Sequence, residues 1–512
     1  MYGENKMKSY QFFWIGVFVL IFLICTVYSL TITDITSSNM IGNIEKGGHG
    51  VMWADADGDG DPDLFITMTC KTPGFPDVYF ENINGVLTEK AVKVGLNSID
   101  DGTHGWFWAD LDNDGDYDSY NGSFDSNWVY ENLGNGSWIK RVCLVNKLRL
   151  DVDYKRSNGN WAYRPGTRGV VAFDYNNDGL LDIFENNWED NVIIQDNYLF
   201  KNNGSFNFSE QNKKNSNFNI NLGAQGVCTG DIDNDGDVDL MVGAFGATGT
   251  QPALWKNNIG KSFTRIERAG IEDLGVRADG YEGGHGQTFF DVNSDGWLDL
   301  IIKGKIYLNN GNGFFDNNPV FSHPHYNAKR PNPIGIADLN NDGFWDIITV
   351  NEYDTTIPKG KYFPGTGRIS WGNPENFDAP FNGRSLAFAD IDKDGDVDFA
   401  MGLTPGYSRL YRNDYDGNNQ YLLVRLTAPN GQAGAPGAKV WIFEKETTNI
   451  IQYREAETNH GYLMQDDPVL HFGTGSRKAV DVKVKFLDGT IVTRAVSTNQ
   501  KIHIDASQKN KF

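Results

Sequence analysis

Cysteine is scarce, with four residues in 512, and Cys25 lies in an N-terminal apolar run that reads as a removable leader. Cys70, Cys143 and Cys228 remain as an odd set, which excludes a disulfide-stapled scaffold and leaves room for one bridge at most. Buried thiols are the simpler reading. Positive charge is also short: 45 Lys and Arg face 67 Asp and Glu, a formal charge of -22. A chain of that sign does not neutralise phosphates, so nucleic acid is excluded as a partner. After residue 29 no apolar run approaches the roughly 20 residues of a membrane span. A nucleophile elbow, zinc-type His/Cys spacing and a phosphate loop are all missing. The expectation is therefore a chain that is not an enzyme. Its many carboxylates keep a polysaccharide-active enzyme as an alternative, because glycoside hydrolysis needs only a carboxylate pair.

What is present begins with Lys6 and Lys8 ahead of the apolar residues 12–27, followed by Val27-Tyr28-Ser29 as a cleavage signal. Residues 1–29 read as a secretory signal peptide, which places the mature chain outside the cytosol. An uncleaved N-terminal anchor is the alternative. Asn121, Asn135, Asn203 and Asn207 each open an Asn-x-Ser sequon.

One nine-residue pattern, Asp-x-Asp/Asn-x-Asp-Gly-x-x-Asp, occurs seven times. Positions 1, 3, 5, 7 and 9 are Asp55, Asp57, Asp59, Asp61 and Asp63 in the first copy, then Asp110, Asp112, Asp114, Asp116 and Asp118. The third copy has Asp174, Asn176, Asp178, Leu180 and Asp182, and the fourth Asp231, Asp233, Asp235, Asp237 and Asp239. The fifth has Asp291, Asn293, Asp295, Trp297 and Asp299, and the sixth Asp338, Asn340, Asp342, Phe344 and Asp346. The last has Asp390, Asp392, Asp394, Asp396 and Asp398. Each copy follows one short apolar strand and precedes a second. A third strand then ends in a turn, as at Leu199-Phe200-Lys201-Asn202-Asn203-Gly204, and a fourth follows. Four short antiparallel strands repeated seven times describe an all-β, seven-bladed β-propeller, with an open solenoid as the alternative.

The loop chemistry suits a hard cation. Ca²⁺ takes six to eight oxygens, and side chains at positions 1, 3, 5 and 9 with the carbonyl of position 7 supply them around one point. Gly at position 6 permits the sharp turn. An EF-hand is excluded, since no Glu stands at position 12 and a strand follows. Positions 1, 3, 5, 7 and 9 hold 29 of the 67 acids, so seven Ca²⁺ would bring -22 to -8. The loops beginning at Asp174, Asp291 and Asp338 carry fewer acids and are expected to bind more weakly.

The repeated loops resemble the FG-GAP/VCBS repeat class, familiar from integrin α-type propellers. The tail adds Gly437-Ala438-Lys439-Val440, Gly461-Tyr462-Leu463-Met464-Gln465 and Leu470-His471-Phe472-Gly473. These resemble the ASPIC/UnbV domain that follows such propellers in the cartilage acidic proteins and in many bacterial secreted proteins. The resemblance implies Ca²⁺ (up to seven ions) and extracellular interaction, and implies no agreed reaction. Read from its residues alone, the tail is still β: residues 480–486 alternate with period two, as a half-buried strand does. The expected organisation is a signal peptide at 1–29, a propeller at 30–418, an ASPIC/UnbV-like β domain at 419–506 and a tail at 507–512.

Six residues before each loop stands a polar side chain: His49, His104, Arg168, Gln225, His285, Asn332 and Arg384. At the start of each innermost strand, these would ring the channel opposite the cations and form a ligand site. Residues 30–36 are surplus to the first unit and are expected to pair with 408–412 as the outermost strand of the last. The reading is a secreted calcium-binding propeller that mediates extracellular binding or adhesion to a protein or glycan. A carbohydrate-binding propeller and a scaffold of a secreted assembly are the alternatives.

Overall fold

The computed structural model describes residues 30–37, 48–68, 76–96, 102–123, 126–146, 166–187, 197–211, 226–243, 252–266, 269–271, 286–324, 333–350, 359–380, 383–403, 407–459, 461 and 463–508. The leader, Cys70, Gln225, His285 and Asn332 lie outside the described residues. Among the described residues no helix is long and apolar enough to cross a membrane.

Seven antiparallel sheets follow one another along the chain. In each, a strand running into a nine-residue loop is followed by a strand whose first residue is the loop's last Asp. Sheet 1 shows the pattern: Gly48–Ala54, Asp63–Met68, Val78–Ile83 and Val86–Glu89. Sheets 2 to 6 begin at Thr103–Ala109, Thr167–Phe173, Val227–Gly230, Thr288–Phe290 and Ile334–Ala337. Sheet 7 holds Gly383–Ala389, Asp398–Leu403 and Arg409–Tyr415, and its fourth strand is Leu30–Asp34 from the other end of the chain. Leu30 lies opposite Tyr415 and Asp34 opposite Tyr411, three residues further along than 408–412. That register sets Leu30 and Ile32 against the apolar cluster shared by sheets 6 and 7, and burial on one face fixes register.

Alternation of side chains builds the ring. Val51 and Trp53 of the first strand face sheet 7, where they meet Ala387, Ala389 and Leu410. Met52 and Ala54 face sheet 2, where Phe65 stacks on Trp106 at 3.9 Å between ring centroids. Successive residues of a strand point to opposite faces, so each sheet contributes to two cores. Among the described residues seven such clusters occur, one between each pair of successive sheets, and the one between sheets 7 and 1 closes a propeller-like ring. Closure packs sheet 7 against both sheet 6 and sheet 1, and its two-ended build fastens the ring.

The C-terminal residues form a separate β core. Gln420–Thr427 lies between Leu470–Gly475 and Gln500–Asp505. The strands Ile450–Glu455, Lys439–Glu444, Ala479–Lys485 and Ile491–Ser497 make the facing sheet. Val480, Val482 and Val484 are buried with Leu422, Val424, Val440 and Ile442, as the period-two pattern requires. Of the four sequons, Asn121 is buried within a sheet 2 strand, whereas Asn135, Asn203 and Asn207 are exposed. Cys228 is a buried free thiol.

Candidate metal centres

Each nine-residue loop is shaped by its own carboxylates. The position 1 Asp accepts the N–H of the position 6 Gly, at 3.0 Å for Asp55 and Gly60 and 2.7 Å for Asp174 and Gly179. The position 9 Asp accepts the N–H of position 2, at 3.0 Å for Asp63 and Ala56 and 3.0 Å for Asp398 and Ile391. Position 6 has φ between 85° and 101° in all seven loops, a region that glycine enters without penalty. The turn draws side chains together. In four loops three carboxylate oxygens lie within 4.8 Å of one another: Asp55, Asp57 and Asp59; Asp110, Asp112 and Asp118; Asp231, Asp233 and Asp239; Asp390, Asp392 and Asp398. The loops with Asn176, Asn293 and Asn340 at position 3 offer one carboxylate fewer.

Burial pushes several of the loop acids up, and neighbouring loop carboxylates add to the shift. Asp110 is raised to about 7, Asp118 to about 9, Asp182 to about 8 and Asp390 to about 8. Asp239 and Asp398 are raised well above the usual carboxylate range for the same main reason. Buried carboxylates with no compensating charge are costly, and an oxygen-rich cluster of this kind could hold a hard cation.

Position 7 plays a different part with its side chain. Asp61, Asp237 and Asp396 accept backbone N–H groups from the end of their own third strand, at 2.8, 2.6 and 2.9 Å. Their other oxygens meet the position 4 side chain of the preceding loop: Lys393 on Asp61, Asn177 on Asp237 at 2.9 Å and Asn341 on Asp396 at 2.8 Å. These acids therefore link adjacent loops, and only the position 7 carbonyl is left for a cation. Position 4 was not singled out from the sequence, although its Asn residues sit at positive φ, as at Asn113, Asn177, Asn234 and Asn341.

A second missed set is the Asn that ends the third strand. Asn82, Asn132, Asn202, Asn257, Asn309 and Asn413 each donate a backbone N–H to the position 9 Asp of their own sheet, at 2.7–2.8 Å. Each also donates its side-chain N–H to a carbonyl of the preceding sheet, as Asn202 does to Leu111 at 2.8 Å. Their recurrence two or three residues after an aromatic or aliphatic pair was the available signal.

The C-terminal domain lies on the loops. Arg425 reaches Asp55 at 3.0 Å, the Ala433 N–H donates to Asp110 at 2.8 Å, Lys439 meets Asp231 at 2.8 Å and Gln452 donates to Asp338 at 2.8 Å. The described residues 458, 459, 461 and 463–467 continue into the ring. There they bond the innermost strands of sheets 1, 2, 3 and 7 through Leu463, Gln465, Thr458 and Asp466. Met464–Gln465 adds in parallel to the first strand of sheet 1. An innermost strand has one unpaired edge, and this segment supplies the missing partners.

At the strand starts, four of the seven polar residues are described, and they come together. His49 and His104 are buried with ring centroids 5.2 Å apart, and the Arg168 guanidinium contacts the His104 ring. Burial holds the His104 pKa well below its ordinary value, helped by Arg168, His49 and Arg384.

Comparison with known proteins bears on both parts. The family described as FG-GAP-like repeat matches residues 174–242 and 291–349, and that described as ASPIC and UnbV matches 427–511. Cartilage acidic protein 1 of Xenopus tropicalis is 26% identical over 300 residues, 54% of this chain and 44% of that protein. The Homo sapiens protein is 28% identical over 256 residues, 45% of this chain and 36% of its own. The chain thus spans less than half the length of these relatives. Among solved structures, an Agrocybe aegerita lectin described as recognising non-reducing terminal N-acetylglucosamine aligns with a TM-score of 0.46 and 20% identity. The alignment covers 65% of this chain and 80% of the lectin. The chain carries FG-GAP-like repeats and a C-terminal ASPIC and UnbV domain, and it is a distant homologue of cartilage acidic protein 1.

Proposed function

We propose that the chain is a seven-bladed, calcium-stabilised propeller that works outside the cytosol as a binding protein rather than a catalyst. Calcium is favoured over softer metals because every candidate ligand is a carboxylate, amide or carbonyl oxygen. The observation that carries the binding reading is the division of the ring's two ends. The C-terminal domain takes the acidic-loop end, through Arg425, Lys439 and Gln452. His49, His104, Arg168 and Arg384 gather at the other. The ligand, a glycan or an extracellular protein, binds at that second end, where the inter-sheet connections differ most in length and loops carry specificity on a rigid scaffold.

The test is a glycan and matrix-protein array run with calcium and with chelator, on the mature chain and on an Arg168→Ala/Arg384→Ala variant. Binding that needs calcium and weakens in the variant, with an unchanged melt, supports the reading. Binding unaffected by the double substitution moves the site elsewhere, and a sugar product released from any array member contradicts the non-catalytic assignment.

A further inference from the structure

The loop of sheet 4 differs from the other acid-rich loops in what faces it. Lys256, the residue just before Asn257, contacts the Asp233 carboxylate and lies 3.2 Å from Asp235. Lys439 arrives from the C-terminal domain, with its Nζ 2.8 Å from Asp231 Oδ2 and 2.5 Å from Asn234 Oδ1. Positions 1, 3 and 5 of this loop therefore each have an ammonium group against them. Lys439 and Asp231 are both buried, with side chains 6% and 2% exposed, so this pair is not a solvated surface contact that a cation would displace cheaply.

The same place before the third-strand Asn holds an acid in sheets 1 and 2, and in sheet 7 it holds Arg412, which pairs with Asp414. The acids are Glu81 in sheet 1 and Glu131 in sheet 2, and they take their own partners, Lys90 and Arg141. Glu131 adds negative charge around Asp112 rather than removing it. In sheet 3, Lys201 contacts Asp178 at 2.5 Å. A divalent ion entering the sheet 4 loop would meet two like charges within the radius of its own ligands, or would have to strip Lys439 of its buried partner.

We propose that Lys256 and Lys439 stand in place of the cation at the Asp231–Asp239 loop, so that calcium is confined to other loops although this one is among the most acidic. The inference rests on the calcium reading above and adds which residues decide occupancy. It also makes the Lys439–Asp231 pair a fastening of the C-terminal domain that holds at any calcium concentration.

Native mass spectrometry of the full mature chain in saturating calcium counts the ions bound. Lys256→Met, and more fully Lys256→Met/Lys439→Met, should bind one ion more than the unaltered chain. Adding Asp233→Asn to Lys256→Met should remove that ion again. Lys256 is partly exposed, so its single variant keeps the test open if loss of Lys439 prevents folding. Asp112→Asn, in sheet 2, should lower the count by one. Equal counts for the unaltered chain and both Lys variants, with Asp112→Asn one lower, would overturn the proposal alone. No calcium bound by any of these proteins would overturn the reading beneath it.

Discussion

The side-chain amide of Gln465 takes both backbone groups of Trp108: its oxygen accepts the Trp108 N–H at 2.8 Å and its nitrogen donates to the Trp108 carbonyl at 2.9 Å. A residue of the C-terminal domain thereby acts as one rung of a β-ladder on the innermost strand of sheet 2. Gln465 is buried, so truncation would leave a donor and an acceptor unpaired in a dry site. Gln465→Ala should cost about 2–4 kcal/mol, read as a lower urea midpoint. A midpoint within error of the unaltered chain would show that water replaces the amide without penalty.

The N-terminal strand supplies the second expectation. Leu30–Asp34 completes sheet 7, and beyond it the Ile35 N–H donates to Leu410 at 2.9 Å while Thr36 Oγ1 accepts the Leu410 N–H at 3.0 Å. Removing residues 1–36 should lower stability by about 3 kcal/mol and the melting temperature by several degrees, far more than a terminal trim. A truncated chain that melts with the full one would mean that the ring closes without this strand.

Asn202 provides a third. Its side chain donates to Leu111 in the preceding sheet at 2.8 Å and to Leu181 in its own at 3.0 Å. Asn202→Ala should destabilise by about 2–3 kcal/mol, whereas Asn203→Ala, one residue on and exposed, should shift the melt by less than about 0.5 kcal/mol. Sheet 6 has Gly365 in place of this Asn. Arg368, on the hairpin that begins there, crosses to sheet 5 instead, donating to Asn293 at 2.9 Å and Ser294 at 2.7 Å. Arg368 is exposed, so Arg368→Ala should cost less than Asn202→Ala but more than Asn203→Ala. Equal melts for Arg368→Ala and Asn203→Ala would remove this seam from the account.

These residues mark what the chain reveals of itself before it folds. The loop from Asp55 to Asp63 is local: nine residues carry their own turn, their own hydrogen bonds and their own charge, so the motif was legible at every copy. The surplus strand at Leu30 could be read because an outer strand has a characteristic apolar alternation, but its register could not, since that depends on which face Leu30 and Ile32 bury. Position 7 was read as a carbonyl donor, but the role of the Asp61 and Asp396 carboxylates was not legible, because they bond backbone and neighbouring loops that the motif does not contain. The docking of Lys439 on Asp231 and of Gln465 on Trp108 joins positions some 200 and 357 residues apart. Nothing in either local sequence announces the other.

Proton and calcium should compete for the loops. Without a cation, Asp110, Asp118 and Asp390 have folded-state values of about 7, 9 and 8, above an unfolded value of about 4. The folded state then binds protons more tightly than the unfolded chain. That contribution is fully present below about pH 4 and is lost as pH rises through 7 to 9. The chelated protein should accordingly be less stable at pH 8 than at pH 5. The gain on adding calcium should be larger at pH 8, where fewer protons have to leave. A gain that shrinks as pH rises from 5 to 8 would mean that the stabilising ion does not bind these carboxylates.

If cations at the loops hold the ring together, a thermal melt of the chain depends on them. At pH 7.5 the melting temperature should be high in millimolar calcium, fall by ten degrees or more in excess chelator (about 3 kcal/mol or above), and return when calcium but not an equal concentration of magnesium is restored. Superimposable melts with calcium and with chelator would contradict the account.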